Sequence, residues 1–203
     1  LNRSEVTELP ATIPPFNTGN SFGQFGSYRI EVGKSATQIL APVDGMQVVV
    51  GDGEPDFRVG WSNVINAGDF TISTLVDWQQ GSNIMNLTRN YYDANGTAPD
   101  VEAATARLEK FKTDSRVYVE DGSFVKIREI SVAYNLPKRL ATQLGPLQSL
   151  QLSLSGRNLM TFTNYSGLDP EVSNFGPQAI SRNIDVTPYP PSRTYWFSIT
   201  AGI

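Results

Sequence analysis

The residues of this chain best suited to chemistry are its loop carboxylates, and their spacing falls short of a site. Asp93-Ala94-Asn95-Gly96 looks like the start of a calcium loop, but it lacks a third oxygen ligand before the glycine and a correctly spaced Glu. A tight turn suits those residues better. Asp52, Glu54 and Asp56, and likewise Asp169 with Glu171, are close enough to share a cation. Acids at such spacings more commonly cap turns or face water. Histidine and cysteine are both absent. This removes Ser-His-Asp and Cys-His catalysis, ordinary zinc sites and disulfides together. No catalytic residue, metal ligand or cofactor site is expected.

Aromatic rings are the other candidates. Tyr91, Tyr92, Phe162, Tyr165, Phe175 and Tyr189 fall in expected loops, where a ring can stack on the apolar C–H face of a sugar. Packing of loops on one another, or against a covering partner, accounts for them as well. No Lys/Arg-rich run is present and the net charge is −4, so nucleic acid is not an expected partner.

The elements that must position these groups are strands. Five segments alternate with period two, as sheets do when their faces meet different surroundings. Phe57, Val59, Trp61 and Ile65 oppose Arg58, Gly60 and Ser62. Phe70, Ile72, Val76 and Trp78 oppose Thr71, Ser73, Asp77 and Gln79, after a short Asn66–Asp69 link with hairpin chemistry. Ile130, Val132, Tyr134 and Leu136 oppose Ser131, Ala133 and Asn135, but the phase flips toward Val125 and Ile127. Either a bulge near Arg128-Glu129 or a strand end beyond the membrane does this; the second is preferred. Leu150, Leu152 and Leu154 oppose Gln151, Ser153, Ser155 and Arg157. Tyr195, Phe197, Ile199 and Ala201 oppose Trp196, Ser198 and Thr200. A sixth strand near residues 27–32 is weaker. Within the links, DVEAATARLEKF reads as a small amphipathic helix begun by Asp100, with Val101, Ala104, Leu108 and Phe111 on one side.

Links 66–69 and 137–146 are short, the latter with room for one helical turn, whereas 34–56, 80–122 and 162–192 are long. Outer-membrane barrels sort their links this way, short turns inside and long loops outside. Charged residues are only 18% of the 203-residue chain, which suits a wall greasy on one face and polar on the other. No apolar run approaches the about 18 residues of a membrane-spanning helix. The opening LNRSEVTELPATIPP has no signal-peptide features, so a fragment of a longer exported protein is the simplest expectation. Five or six strands cannot close a large barrel, and open edges in lipid leave backbone groups unsatisfied, so further strands are required.

Four blocks resemble SusC/RagA-type TonB-dependent outer-membrane transporters: GDGEPDFRVGWSN with the following DWQQGSNIMNLTR, VYVEDGSFVKIREISVAYNLP, LSLSGRNLMTFTNYSGLDPEV, and the stretch from Asp185 to Arg193. They cover about the last three quarters of the chain, in the family's order. The resemblance implies the C-terminal part of a roughly 22-stranded all-β barrel, residues 1–203 forming one segment without the plug and the N-terminal strands. It implies location in the cell outer membrane, contact with its lipid, and energy from TonB through the missing N-terminal parts. It further implies oligosaccharide or peptide import under a SusD-like lipoprotein. Two features depart from the family: the chain ends in Ile203 where an aromatic is usual, and residues 100–112 replace a segment often rich in Trp and Pro.

On this layout Trp61, Trp78, Tyr134, Tyr195 and Phe197 face lipid or its interfacial girdles. Asp77, Gln79, Ser155 and Arg157 face the lumen, against the plug more than along a substrate path. A secreted soluble β-sandwich that binds ligands is the alternative from another class. An outer-membrane hydrolase is disfavoured, because without histidine its usual base is missing.

Overall fold

The computed structural model describes residues 38–171 and 183–202. In chain order the elements are β1 (Gln38–Val43), β2 (Met46–Asp52), β3 (Phe57–Ala67), β4 (Phe70–Gln80), β5 (Asn83–Asn86), α1 (Leu87–Ala94), α2 (Val101–Phe111), β6 (Val119–Asp121), β7 (Phe124–Leu136), α3 (Lys138–Ala141), β8 (Ser149–Thr163), β9 (Ile184–Asp185) and β10 (Thr194–Gly202). The chain divides into two compact units: one holds residues 58–79, 124–162 and 191–203, the other the remainder up to residue 190. The weak strand near 27–32 and Phe175 lie outside the described residues.

The first unit is a five-stranded sheet ordered β10-β8-β7-β4-β3, so spatial order follows chain order in an open up-and-down meander. β4 pairs antiparallel with β7, and β8 with β10. The β3–β4 link is the two-residue turn Gly68-Asp69, where Gly68 takes the φ of 61° that a tight hairpin demands. Apolar residues pair with apolar ones along the ladder: Phe70 with Tyr134, Ile72 with Val132, Val76 with Ile127 and Trp78 with Val125. The Phe70 and Tyr134 rings lie 4.7 Å apart.

The phase flip in β7 is a bulge, not a strand end leaving the membrane as preferred from sequence. Leu75 pairs with Glu129 and Val76 with Ile127, so Arg128 is the extra residue. One inserted residue puts Arg128 and Glu129 on the same side and returns Val125 and Ile127 to the apolar face. Across the sheet's last pair, Leu150, Leu152 and Leu154 oppose Ala201, Ile199 and Phe197, and Gly156 opposes Tyr195. A Cβ on Gly156 would lie 2.7 Å from Leu159 and 3.3 Å from the Tyr195 ring, so glycine is what lets the ring lie there.

The second unit contains the β1–β2 hairpin, a small sheet ordered β6-β5-β9, and helices α1 and α2. Residues 34–56, expected to be an irregular link, instead carry this hairpin. Asp44 and Gly45 both have positive φ (49° and 77°), the signature of a two-residue type I′ turn. Helix α1 also lies where only a loop was expected. Helix α2 starts where Asp100 marks it, although no side-chain cap bond forms and only Ala104 of the expected apolar side is buried. The apolar core is small, made by Ile39, Ala41, Met85, Leu87, Tyr118 and Ile184. Polar contacts must therefore carry much of this unit's order.

Candidate functional site

The sheet presents two chemically distinct faces. Arg58 Nε donates to Gln79 Oε1 at 2.6 Å, Arg128 Nε to Asp77 Oδ2 at 2.7 Å, and Arg157 Nε to Glu129 Oε2 at 2.9 Å. Gln151 donates to Asn135 at 2.8 Å, and the Ser73 and Ser131 hydroxyls are 2.6 Å apart. These bonds join every neighbouring pair from β3 to β8 on one side, and Ser155 shares that side by alternation. The opposite side carries no charged residue on any described strand of this sheet. Its rings are open: Trp61 is 57% exposed, Tyr195 69% and Phe197 66%. Asp77, Gln79, Ser155 and Arg157 thus share the polar face, and Trp61, Trp78, Tyr134, Tyr195 and Phe197 the apolar one, as alternation predicts. An exposed apolar face of this extent marks a surface built for a non-aqueous neighbour.

The second unit is organised by ion pairs. Arg107 donates to both oxygens of Asp93 (2.7 and 2.7 Å) and both of Asp100 (2.7 and 2.9 Å). The Asp93 side chain is fully buried and also accepts from Tyr118 Oη at 2.8 Å. Arg89 reaches Glu120 at 3.2 Å and lies 3.6 Å from Asp100. Glu120 in turn accepts from Ser166 N and Oγ (2.8 and 2.7 Å) and from Asn86 Nδ2 (3.1 Å). Asn86 caps α1 by accepting from Arg89 N at 2.9 Å. Between α1, the start of α2 and residues 166–168 lies a cavity of about 340 Å³.

Burial pushes the Asp93 carboxyl up, but hydrogen bonds from Arg107 and Tyr118 and the charges of Arg107 and Arg89 outweigh it, leaving it below its ordinary value. The Arg107 hydrogen bonds lower Asp100 to about 2 against the cost of partial desolvation. Burial, with the Asp93 carboxylate alongside, moves Tyr118 up to about 12. Both carboxylates are depressed when folded. They stabilise fully above the unfolded value near about 4 and lose that contribution as pH falls through the folded values. Amide protection in α1 and α2 is therefore expected to be flat from about pH 5 to 8 and to fall between about pH 4 and 2, measured by hydrogen exchange.

The remaining sequence candidates separate. Tyr91 and Tyr92 are exposed on α1, and Tyr189 is 94% exposed. Of the two readings open for Tyr165, ligand stacking or packing among loops, burial favours packing: the residue is 5% exposed, its hydroxyl donating to Asp185. Burial and that carboxylate raise its pKa. Thr88 also donates to Asp185 and accepts from Thr187 N at 2.6 Å, so these bonds tie Tyr165, Asp185 and Thr187 to α1. Phe162 belongs to β8 and not to a loop. The tight turn expected over Asp93–Gly96 forms at the end of α1: Asp93 sits in the last helical turn and its carbonyl accepts from Gly96 N at 3.1 Å, with Gly96 at φ 66°. The two carboxylate oxygens of Asp93 are taken by Arg107 and Tyr118, which leaves no calcium geometry there. Asp52 and Asp169 cap turns, accepting from Glu54 N (3.0 Å) and Glu171 N (2.8 Å). Among the described residues no cluster of acids could hold a metal ion. The Arg107 hub escaped the sequence, since its partners are 14 and 7 residues away and no local pattern joins them.

No family profile matches the chain. Among curated proteins it is 32% identical over 166 residues to TonB-dependent receptor P3 of Formosa agariphila, covering 72% of this chain and 16% of the relative. It is 28% identical over 176 residues to TonB-dependent receptor P26 of the same organism, covering 77% and 17%. The chain thus spans about a sixth of the length of the curated relatives it matches. Among solved structures it resembles the RagAB peptide importer in its open-open state (TM-score 0.55, 18% identity, 88% of this chain and 22% of that one). The closed-closed state gives TM-score 0.56 at 19% identity, covering 87% and 22%. At this identity the likeness speaks to fold: an antiparallel barrel wall, here as an open sheet.

Proposed function

The chain belongs to the TonB-dependent receptors of the SusC/RagA type as a β-barrel segment, and on that premise we propose that it forms part of the wall and outer loops of an outer-membrane active transporter. The observation that carries this is the two-faced sheet, with uncharged exposed rings on one side and a hydrogen-bonded ladder on the other. The apolar face meets lipid, with Trp61, Trp78, Tyr134, Tyr195 and Phe197 as its aromatic anchors. The polar face, with Asp77, Gln79, Ser155 and Arg157, lines the lumen against the plug of the full-length receptor. A soluble sandwich would instead have to bury the apolar face.

The segment acts as scaffold and catalyses nothing. TonB engages the N-terminal parts of the full-length receptor, a SusD-like lipoprotein covers the outer loops, and the cargo is an oligosaccharide or a peptide. Support for the lipoprotein comes from the likeness to the RagAB importer, and for TonB from the receptor relatives. The test is uptake of fluorescently labelled oligosaccharides and peptides by cells expressing the full-length receptor, with and without tonB. Accumulation that needs tonB is expected. Accumulation indifferent to tonB contradicts the proposal.

A further inference from the structure

Asn95-Gly96 is the one Asn-Gly pair in the sequence, and it closes helix α1. Thr97 N donates to Tyr92 O (3.0 Å) and Gly96 N to Asp93 O (3.1 Å). These are the paired bonds of a Schellman cap, with Gly96 in the left-handed position at φ 66°. The Asn95 side chain completes the cap, its Nδ2 donating to Tyr91 O at 2.7 Å. Asn95 is exposed, and the space where a Cβ on Gly96 would stand is open. No side chain therefore shields the Gly96 nitrogen, the nucleophile that can attack the preceding asparagine amide.

That attack has a definite geometry. Gly96 N must give up its proton and its hydrogen bond to Asp93 O, then reach Asn95 Cγ. In the cap Asn95 has φ −93° and ψ 2°, so the Gly96 nitrogen lies beside Asn95's own nitrogen and away from Cγ. The closed cap blocks the reaction, and an opening of the last turn of α1 permits it. Arg107 holds that turn shut by gripping both oxygens of Asp93.

As the new N–Cγ bond forms, the Cγ–Nδ2 bond breaks and ammonia leaves, giving a succinimide. Water then adds to either ring carbonyl, so Asn95 becomes aspartate or isoaspartate with no oxidant or cofactor consumed. Either product lacks the donor to Tyr91 O and puts negative charge at a helix C-terminus, where the dipole is already negative. The adjoining network is poorly placed to absorb it, since Asp93, Asp100 and Glu120 already outnumber Arg89 and Arg107.

We propose that Asn95 is a self-modification site, deamidated through Gly96 N when the end of α1 opens, and that the product loosens α1 from α2. The test is site-resolved mass spectrometry of the full-length receptor in detergent, aged in mildly alkaline buffer beside a guanidinium-unfolded sample. Asn95 is expected to convert in the folded receptor at least about tenfold more slowly than in the unfolded one, and Arg107→Ala to close most of that gap. Asn95→Asp copies the charge and the lost donor without the chemistry, and is expected to speed amide exchange in α1 by about tenfold. Asn95 is exposed, so this variant keeps the test readable if Arg107→Ala unfolds the unit. The proposal is overturned if Asn95 stays intact in the folded receptor, or converts there as fast as in the unfolded one. It is equally overturned if Arg107→Ala leaves the folded rate unchanged, or if Asn95→Asp leaves exchange in α1 unchanged.

Discussion

Leu154→Arg is expected to destabilise the assembled receptor by about 2–4 kcal/mol, while Ser153→Arg changes it by less than about 1 kcal/mol. Leu154 pairs with Phe197 and Ser153 with Ser198, near the middle of the nine-residue β10. The two positions are adjacent in sequence and project to opposite faces. If the apolar face lies in lipid, an arginine at 154 must desolvate or drag water and headgroups inward, whereas at 153 it joins a polar face that already holds Arg157 and Gln151. Were the sheet bathed in water on both sides, both substitutions would fall within about 0.5 kcal/mol, as exposed sites usually do. Urea unfolding of the full-length receptor in lipid vesicles reads the difference. Equal effects at the two positions would remove lipid from the account.

Arg107→Ala is expected to cost about 3–5 kcal/mol in the unit that holds α1 and α2, toward the lower end because the network opens to water at Asp100. The loss comes chiefly from Asp93, whose buried carboxylate keeps only the Tyr118 bond once the guanidinium is gone. Arg107→Lys should recover less than half of it, since an ammonium cannot satisfy four carboxylate oxygens that a planar fork reaches at 2.7–2.9 Å. Adding Asp93→Asn to Arg107→Ala should restore part of the stability by removing the stranded charge. Hydrogen exchange in α1 and α2 measures all three. If Arg107→Ala leaves protection unchanged, the hub is not what orders these helices.

The sheet was legible because period-two alternation is local. Each strand's faces follow from its own residues, and barrel walls enforce the pattern on both sides. The bulge was legible as a possibility, since the phase flip at Arg128-Glu129 is visible in sequence. Choosing it over a protruding end needed the register that sets Val76 against Ile127. The β1–β2 hairpin has a local signal in Asp44-Gly45 between apolar runs, but 34–56 lacks the clean alternation that would mark the flanking strands. Helix α1 had little signal: its eight residues include Asn90 and two adjacent tyrosines, and Asn86 as its cap looks like any loop Asn. Sequence alone leaves Tyr165 open between stacking on a ligand and packing within the fold, because an exposed loop tyrosine and a buried one are identical in sequence. Its burial depends on Asp185, 20 residues on. Contacts of that range make the small unit, and one sequence does not display them.

The most direct test of the central claim is nitroxide scanning of the full-length receptor in lipid, one cysteine at a time from residue 150 to 155. This segment has no cysteine of its own to interfere. Oxygen, which partitions into lipid, should relax labels at 150, 152 and 154 strongly and those at 151, 153 and 155 weakly. Alternation in that phase places the apolar face in the bilayer. Uniform accessibility, or alternation in the opposite phase, would mean that this sheet is not the wall of a membrane barrel.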